Sequence, residues 1–405
     1  MSRGLELLAT LPETPDRARQ ELDLLLALGS ALIAARGSSA PEVEQTYTRA
    51  RALCTQIGET PQLFATLAGL RQLYFNRGVL PPARELGEQL HRLAQRTADP
   101  MHRLQAHYAL GITLFYLGDS ATARTQCEQG IVGIDPAALP AQGFYYGAAP
   151  GVGCLAIAVH ALWCLGYPAQ ALRRVQEALA LAEMLAHPYS LVFAANYTAL
   201  LHHRCRDAPA VKAQAEALLA LATVQGFPLW VGIGTLWCGW VPAMQGQATA
   251  GLAQMHQGMT GAVATGQTLG RPFCLVPLAE ALGHTDQVAE GLRLLAEALE
   301  ELEAGGQGYL LAEAYRLKGV LLLQQAVPDP AQAEACFQQA LAIARRQQAK
   351  SWELRAAMSL SRLWRHQGKR AEAYELLAPI YGWFTEGFDT ADLQEAKGLL
   401  EDLGS

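Results

Sequence analysis

The chain has 405 residues, 51% of them hydrophobic and 17% charged, with a formal net charge of −6 and a pI near 6.0. No basic surface dominates such a composition, which disfavours nonspecific binding to nucleic acid or to an anionic membrane. The opening MSRGLELLATLPETPDRAR lacks the long apolar core of a secretory signal, and the eight scattered cysteines include no CxxC pair. They read as buried free thiols of a cytoplasmic protein rather than as disulfides or metal ligands.

Helical periodicity runs through the chain with no convincing alternating strand segment. Residues 1–15 read as a linker or cap. Repeats 1–3 fill 16–133, as helices near 16–36 and 41–57, 60–77 and 81–97, then 101–117 and 119–133. An inserted aromatic loop takes 134–150. Repeats 4–9 fill 151–384: 151–166 with 168–186, 188–205 with 208–225, 227–246 with 247–266, 268–283 with 286–304, 308–325 with 329–348, and 351–368 with 370–384. A capping helix near 390–402 closes the segment 385–405.

The helix stops are expected at Gly58, Gly78, Gly118, Gly166, Gly226, Gly246, Gly283 and Gly368, where glycine adopts the left-handed conformation after the last turn. Several following helices open on a capping residue and proline, as in Thr60-Pro61, Asp99-Pro100, His187-Pro188 and Asp329-Pro330.

A beat of small residues sits on this pattern: Val43, Ala83, Ala123, Ala171, Val211, Gly251, Gly291, Ala333 and Ala373, with gaps of 40, 40, 48, 40, 40, 40, 42 and 40 residues. A period of that length means stacked two-helix units. Each small residue lets the second helix of a unit approach the first closely. The expected fold is all-α: a right-handed α-solenoid of about nine antiparallel helix pairs whose first helices line a concave groove.

Leu110, Gly111, Gly118 and Ala123 stand at the signature positions of the tetratricopeptide repeat, which this chain resembles, with a unit of about 40 residues against the usual 34 or so. The stretches Ala40-Pro41-Glu42-Val43-Glu44, Ala83-Arg84-Glu85-Leu86-Gly87-Glu88-Gln89-Leu90, Gly226-Phe227-Pro228-Leu229-Trp230 and Ala314-Tyr315-Arg316-Leu317-Lys318-Gly319 look like the C-terminal arrays of bacterial nucleotidyl-cyclase/ATPase fusion proteins. A related likeness is to the ATP-dependent LuxR-type activators of the maltose-regulator kind. The resemblance implies an array that regulates a nucleotidyl-cyclase or signalling ATPase module.

Two departures stand out against the beat. The 48-residue gap holds Pro136 to Pro150, PAALPAQGFYYGAAP, whose Phe144, Tyr145 and Tyr146 are either anchors for a partner or plugs between neighbouring hairpins. The resembled arrays carry Tyr-Gly-x-Asp-Pro-Gly-Val here; this chain has Tyr146-Gly147-Ala148-Ala149-Pro150-Gly151-Val152, with Ala149 in place of the acid.

The second departure is a run of 54 residues between Glu216 and Arg271 without one Asp, Glu, Lys or Arg. Its apolar stretch approaches the length of a membrane span, yet the beat at 211, 251 and 291 continues through it and no basic cluster flanks it. Trp230, Trp237 and Trp240 share roughly one helix face, as core or as an exposed partner or self-association surface.

No catalytic constellation emerges. GxxxxGK[ST], HExxH and GxSxG are absent, Gly232-x-Gly234 lacks a third glycine, and His202-His203 points in two directions on a helix. Glu297, Glu300, Glu301 and Glu303 read as a solvated face. The expected function is therefore that of a non-catalytic interaction and regulatory scaffold without cofactor or metal, binding a protein or peptide such as a cyclase or ATPase module. The alternatives are a small-molecule sensor, with Tyr74, Trp163 and Tyr197 cradling the ligand, and a homodimerisation module using the uncharged hairpin.

Overall fold

A computed structural model describes residues 2–37, 39–58, 61–97, 99–132 and 147–405. A short helix, α1 (Ser2–Ala9), leads into nine antiparallel pairs. Pairs 1 to 3 are α2 (Pro15–Arg36) with α3 (Pro41–Ile57), α4 (Gln62–Asn76) with α5 (Leu80–Gln95), and α6 (Pro100–Tyr116) with α7 (Ser120–Ile131). Pairs 4 to 6 are α8 (Pro150–Cys164) with α9 (Pro168–Leu185), α10 (Pro188–Arg204) with α11 (Ala208–Gln225), and α12 (Pro228–Met244) with α13 (Ala248–Val263). Pairs 7 to 9 are α14 (Arg271–Leu282) with α15 (Val288–Gly305), α16 (Leu311–Gln324) with α17 (Pro330–Arg346), and α18 (Lys350–His366) with α19 (Arg370–Tyr381). The last helix, α20 (Ala391–Gly404), packs against α19 and α18. The described residues contain no strand, so the fold is the all-α tetratricopeptide-like solenoid.

Local chemistry sets these boundaries. Asp99, Asp119, Asp207 and Asp329 each accept a hydrogen bond from an amide in the first turn of α6, α7, α11 and α17, satisfying donors the helix cannot use itself. Seven of the eight expected stop glycines have positive φ; Gly283, at −65°, does not. Ser2–Ala9 is helical where a linker or cap was expected, and the first helix of pair 8 begins as a 3-10 turn, Gly308–Leu310.

Every residue of the 40-residue beat is buried, and Gly251 shows why. A Cβ there would lie 2.5 Å from the Ala243 amide nitrogen and 2.6 Å from the Gly239 oxygen. Gly232 and Gly239 on α12 face Gly258 and Gly251 on α13 backbone to backbone. The uncharged hairpin is thus a helix pair in glycine-mediated contact, closer than charged or long side chains would allow. No helix among the described residues is long and apolar enough to cross a membrane.

The array then coils onto itself with a regular offset, each pair meeting the fifth pair beyond it. Pair 2 meets pair 7, where the Leu269 amide donates to the Asn76 oxygen at 3.1 Å. Pair 3 meets pair 8, with Tyr116 and Tyr309 ring centroids 4.5 Å apart. Pair 4 meets pair 9, with Trp163 and Trp352 at 4.6 Å, and Gln170 donating to Glu386 at 2.9 and 3.0 Å. Pair 5 meets α20, with Arg206 and Glu395 at 2.6 Å. Three stop glycines lie in this seam: a Cβ on Gly78, Gly118 or Gly166 would strike Gln307, Gln347 or Trp383.

Candidate functional site

The first helices of the pairs face inward, as expected, but the groove they line is not continuous. The five-pair offset brings the two turns of the superhelix into contact and plugs the middle. Arg204, only 1% exposed, has its guanidinium over the rings of Phe115, Trp163 and Trp352 at 5.3 to 5.7 Å. Arg355 lies over the same two tryptophans, 5.3 Å from each centroid, and donates to the backbone oxygen of Arg204. His160 is held in one tautomer: Nε2 donates to the Tyr197 oxygen at 2.9 Å, and Nδ1 accepts from Arg204 at 3.0 Å. Burial, aided by the neighbouring Arg204 charge, pushes its pKa well below the usual histidine value, so it is neutral.

The plug separates two spaces. On one side is a charged cleft of about 220 Å³. Its cations and carboxylates are matched: Arg355 with Asp392 at 2.7 Å, Arg316 with Glu313 at 2.7 Å, and Arg206 and Arg362 with Glu395 at 2.6 and 2.9 Å. Glu280 accepts from His203 at 3.2 Å and from the Trp240 indole at 3.3 Å. Burial alone would raise its pKa, but His203, Arg316 and Arg355 outweigh that and hold it at about 2. This cleft is a closed ionic network.

On the other side is a cavity of about 110 Å³, open on one side, within one superhelical turn. Its wall takes residues from α4, α6, α10, α12 and the start of α14, plus Gly147 and Ala148 ahead of α8. Phe193 and Tyr197 stack at 4.4 Å with 28° between their planes, and Trp230 sets its edge against Phe193 at 6.0 Å. Tyr116 and Tyr197 share a hydrogen bond between hydroxyls at 3.2 Å. Burial raises the pKa of Tyr108, Tyr116, Tyr189 and Tyr197, so all are un-ionised at neutral pH.

Arg71 lines this cavity at 5% exposure, with its guanidinium 5.1 Å from the Phe75 ring centroid. Nη2 donates to the adjacent Gln72, while Nε and Nη1 have no hydrogen-bond partner. Among the described residues no Asp or Glu lines the cavity. Desolvation, weakly opposed by Tyr108, lowers the Arg71 pKa to about 10, still charged at neutral pH.

The residues singled out from the sequence separate into distinct places. Tyr197 and Trp230 line the cavity. Trp163 is in the plug. Tyr74 turns toward α3, where its hydroxyl donates to Glu44 at 3.3 Å. Trp237 is fully buried, its indole donating to Asn196 at 3.2 Å, and Trp240 is 4% exposed. The tryptophan face of the uncharged hairpin is therefore interior and offers no outward surface; the close approach of α12 and α13 turns it onto α10 and α14. Phe144, Tyr145 and Tyr146 lie outside the described residues. Where the resembled arrays have an acid, the Ala149 amide donates to the Ser190 hydroxyl at 2.8 Å.

Arg71, Arg204 and Arg355 were not anticipated. Arg71 had a signal, since it is the one charged residue of α4, QLFATLAGLRQLYFN. The pairing of Arg204 with Arg355 had none, because 150 residues of chain intervene. Glu297 and Glu301 both bond Arg271, and Glu303 accepts from Tyr315 at 2.7 Å, so that acidic run is partly engaged. Among the described residues no cluster of His, Cys, Asp or Glu has the arrangement of a metal site.

No protein-family model matches the chain, and no curated protein does. Solved structures do. The apo form of the quorum sensor NprR from B. thuringiensis is similar at a TM-score of 0.50 and 12% identity, over 91% of this chain and 99% of that one. A Rap protein solved with Competence and Sporulation Factor gives 0.47 and 14%, over 87% of this chain and 99% of that one. A signal transduction ATPase with a tetratricopeptide repeat sensor, from Pyrococcus horikoshii, gives 0.43 and 15% over 90% of this chain; the match spans 56% of that protein. At such identities the likeness concerns the fold, and the chain is a tetratricopeptide-like helical repeat array.

Proposed function

We propose that this chain is a non-catalytic sensing and interaction array in which a ligand seats inside the superhelical turn formed by pairs 2 to 7. The observation that carries the reading is the aromatic-walled cavity whose enclosure depends on the contact of α4 with the loop before α14. A ligand touching both elements favours the coiled state over any more open one by its differential affinity, which is how binding inside an array becomes a change in its outer surface. The regulated module is a signalling ATPase or nucleotidyl cyclase, a finer reading supported by the sequence resemblance of the segments at 40–44, 83–90, 226–230 and 314–319.

A thermal-shift screen of a small-molecule library tests this on the full chain, beside Ile233→Trp, which fills the cavity from its α12 wall. Compounds that stabilise the wild type and lose their effect in the filled variant are expected. No stabilising compound, or stabilisation indifferent to the filling, overturns the sensing reading.

A further inference from the structure

We propose that the interior cavity takes a small monocarboxylate with a flat or short apolar body, anchored through its carboxylate by the Arg71 guanidinium. The inference rests on reading the interior as a ligand site, and narrows it to a chemical class.

Arg71 is a buried cation with no counter-anion among the described residues. It is 5% exposed, and two of its three nitrogens have no acceptor. A guanidinium taken out of water is normally paired with a carboxylate or phosphate oxygen. Here the surrounding polar groups, Gln72, Asn76, Asn196, Gln267 and the tyrosine hydroxyls, are all neutral. The missing partner is therefore an anion supplied from outside the cavity wall.

The wall also sets the charge and the size of that anion. Arg71 is the only basic residue among the described residues lining the cavity, so a dianion such as a phosphate ester would carry one charge without compensation there. A monoanion leaves none. The pocket volume of about 110 Å³ is less than the roughly 150 Å³ of an enclosed apolar cavity that binds benzene, so a body no larger than a ring or short chain seats there with part of it in the open mouth. Phe193, Tyr197, Trp230 and Phe273 offer ring faces and edges to such a body. A small aryl or short alkyl acid suits that space better than a long peptide.

The unpaired charge also makes the empty array carry a desolvation cost that the ligand removes. Replacing Arg71 with an apolar side chain of similar length should thus leave the unliganded protein at least as stable as the wild type.

Thermal shift and isothermal calorimetry on the full chain decide the matter, with phenylacetate, indole-3-acetate and octanoate, each beside its primary amide. The expected result is that at least one acid at millimolar concentration raises the melting temperature by about 2 °C or more. Its amide does not, and Arg71→Met abolishes the response without lowering the unliganded melting temperature. Ile233→Trp, which keeps the cation and fills the space, must abolish it too, and carries the test if Arg71→Met does not fold. Equal responses to acid and amide, a response that survives either variant, or no response from any of the acids overturns the proposal. A tetrapeptide ending in Phe, as free acid and as amide, separates the other source of a carboxylate: binding by the peptide acid alone would replace the small ligand with a chain terminus. Neutral compounds that bind the wild type and are lost in Ile233→Trp would sink the carboxylate while leaving the sensing array standing.

Discussion

The Ser351 hydroxyl donates to the backbone oxygen of Trp163 at 2.5 Å, joining two turns of the superhelix across 188 residues of chain. The acceptor is in the last turn of α8 and already takes the Gly166 amide at 3.1 Å, so the first turn of α18 supplies a second donor to the same oxygen. Ser351→Ala removes one of two donors to a buried oxygen and should cost roughly 0.5–1 kcal/mol. Hydrogen exchange locates the loss: amides at the end of α8 and at the start of α18 should exchange faster together. Acceleration confined to α18 would mean that the bond does not couple the turns.

A stronger test of the seam uses two glycines that differ only in what they face. Gly166 and Gly246 occupy the same place in their pairs and have similar φ, 91° and 88°. A Cβ on Gly166 would lie 2.6 Å from the Trp383 ring and 2.9 Å from the Lys350 Cβ, whereas on Gly246 it meets nothing within 4 Å. Alanine at either position adds the strain of a left-handed conformation, on the order of 1–2 kcal/mol. Only Gly166→Ala adds a clash between turns, roughly 1–3 kcal/mol more. Urea unfolding of the two variants gives the difference; equal losses would show that the seam yields freely.

The sequence made the pairs legible because their causes are local. Stop glycines, capping Asp residues, prolines at first helical positions and the small-residue beat all act within one hairpin, and α2 through α20 follow them closely. The seam was not legible. Ser351, Gln170, Arg206 and Arg355 look like ordinary polar positions until the superhelical pitch is known, and pitch is the sum of small rotations that no hairpin reveals. The same limit hid the site. Tyr197 was expected in the groove and Trp230 as core or as partner surface, but Arg71 gains its meaning only from the absence of an acid among the described lining residues of four other helices. Trp163 was expected to cradle a ligand in the groove; its ring meets Trp352 of the next turn.

The uncharged hairpin makes its own prediction. On α13, a Cβ at Gly258 would lie 2.4 Å from the Leu236 nitrogen and 2.5 Å from the Gly232 oxygen, both backbone atoms that cannot step aside. At Gly261, on the exposed side of the same helix, its nearest neighbour is the Gly232 Cα at 3.7 Å. Gly258→Ala should therefore destabilise by roughly 1–3 kcal/mol through overpacking. Gly261→Ala should stabilise by about 0.5–1 kcal/mol through helix propensity. Opposite shifts in thermal midpoint are the expected reading. Two shifts of the same sign would mean that α12 and α13 are not held in backbone contact.

Acid sensitivity follows from the charged cleft. Glu280 has its pKa held at about 2 against an ordinary value of 4.5. Glu313 and Glu395 are lowered as well, the arginines beside them outweighing the upward push of burial. A carboxylate with a depressed pKa in the folded state contributes stability above its unfolded value and loses it as pH falls toward the folded one. The window is thus roughly pH 4.5 down to 2, and Glu280 alone accounts for about 3 kcal/mol across it. The urea midpoint should begin to decline below about pH 6.5, where the unfolded chain protonates His160 and the folded one does not, and then fall more steeply below about pH 4.5. Glu280→Gln should lower the midpoint at pH 7, because His203 and the Trp240 indole lose a charged acceptor, and it should flatten the acid limb. An acid limb as steep in Glu280→Gln as in the wild type would assign the sensitivity to the carboxylates of α16 and α20 instead, where Glu313 and Glu395 hold the next turn of the superhelix through Arg355, Arg206 and Arg362.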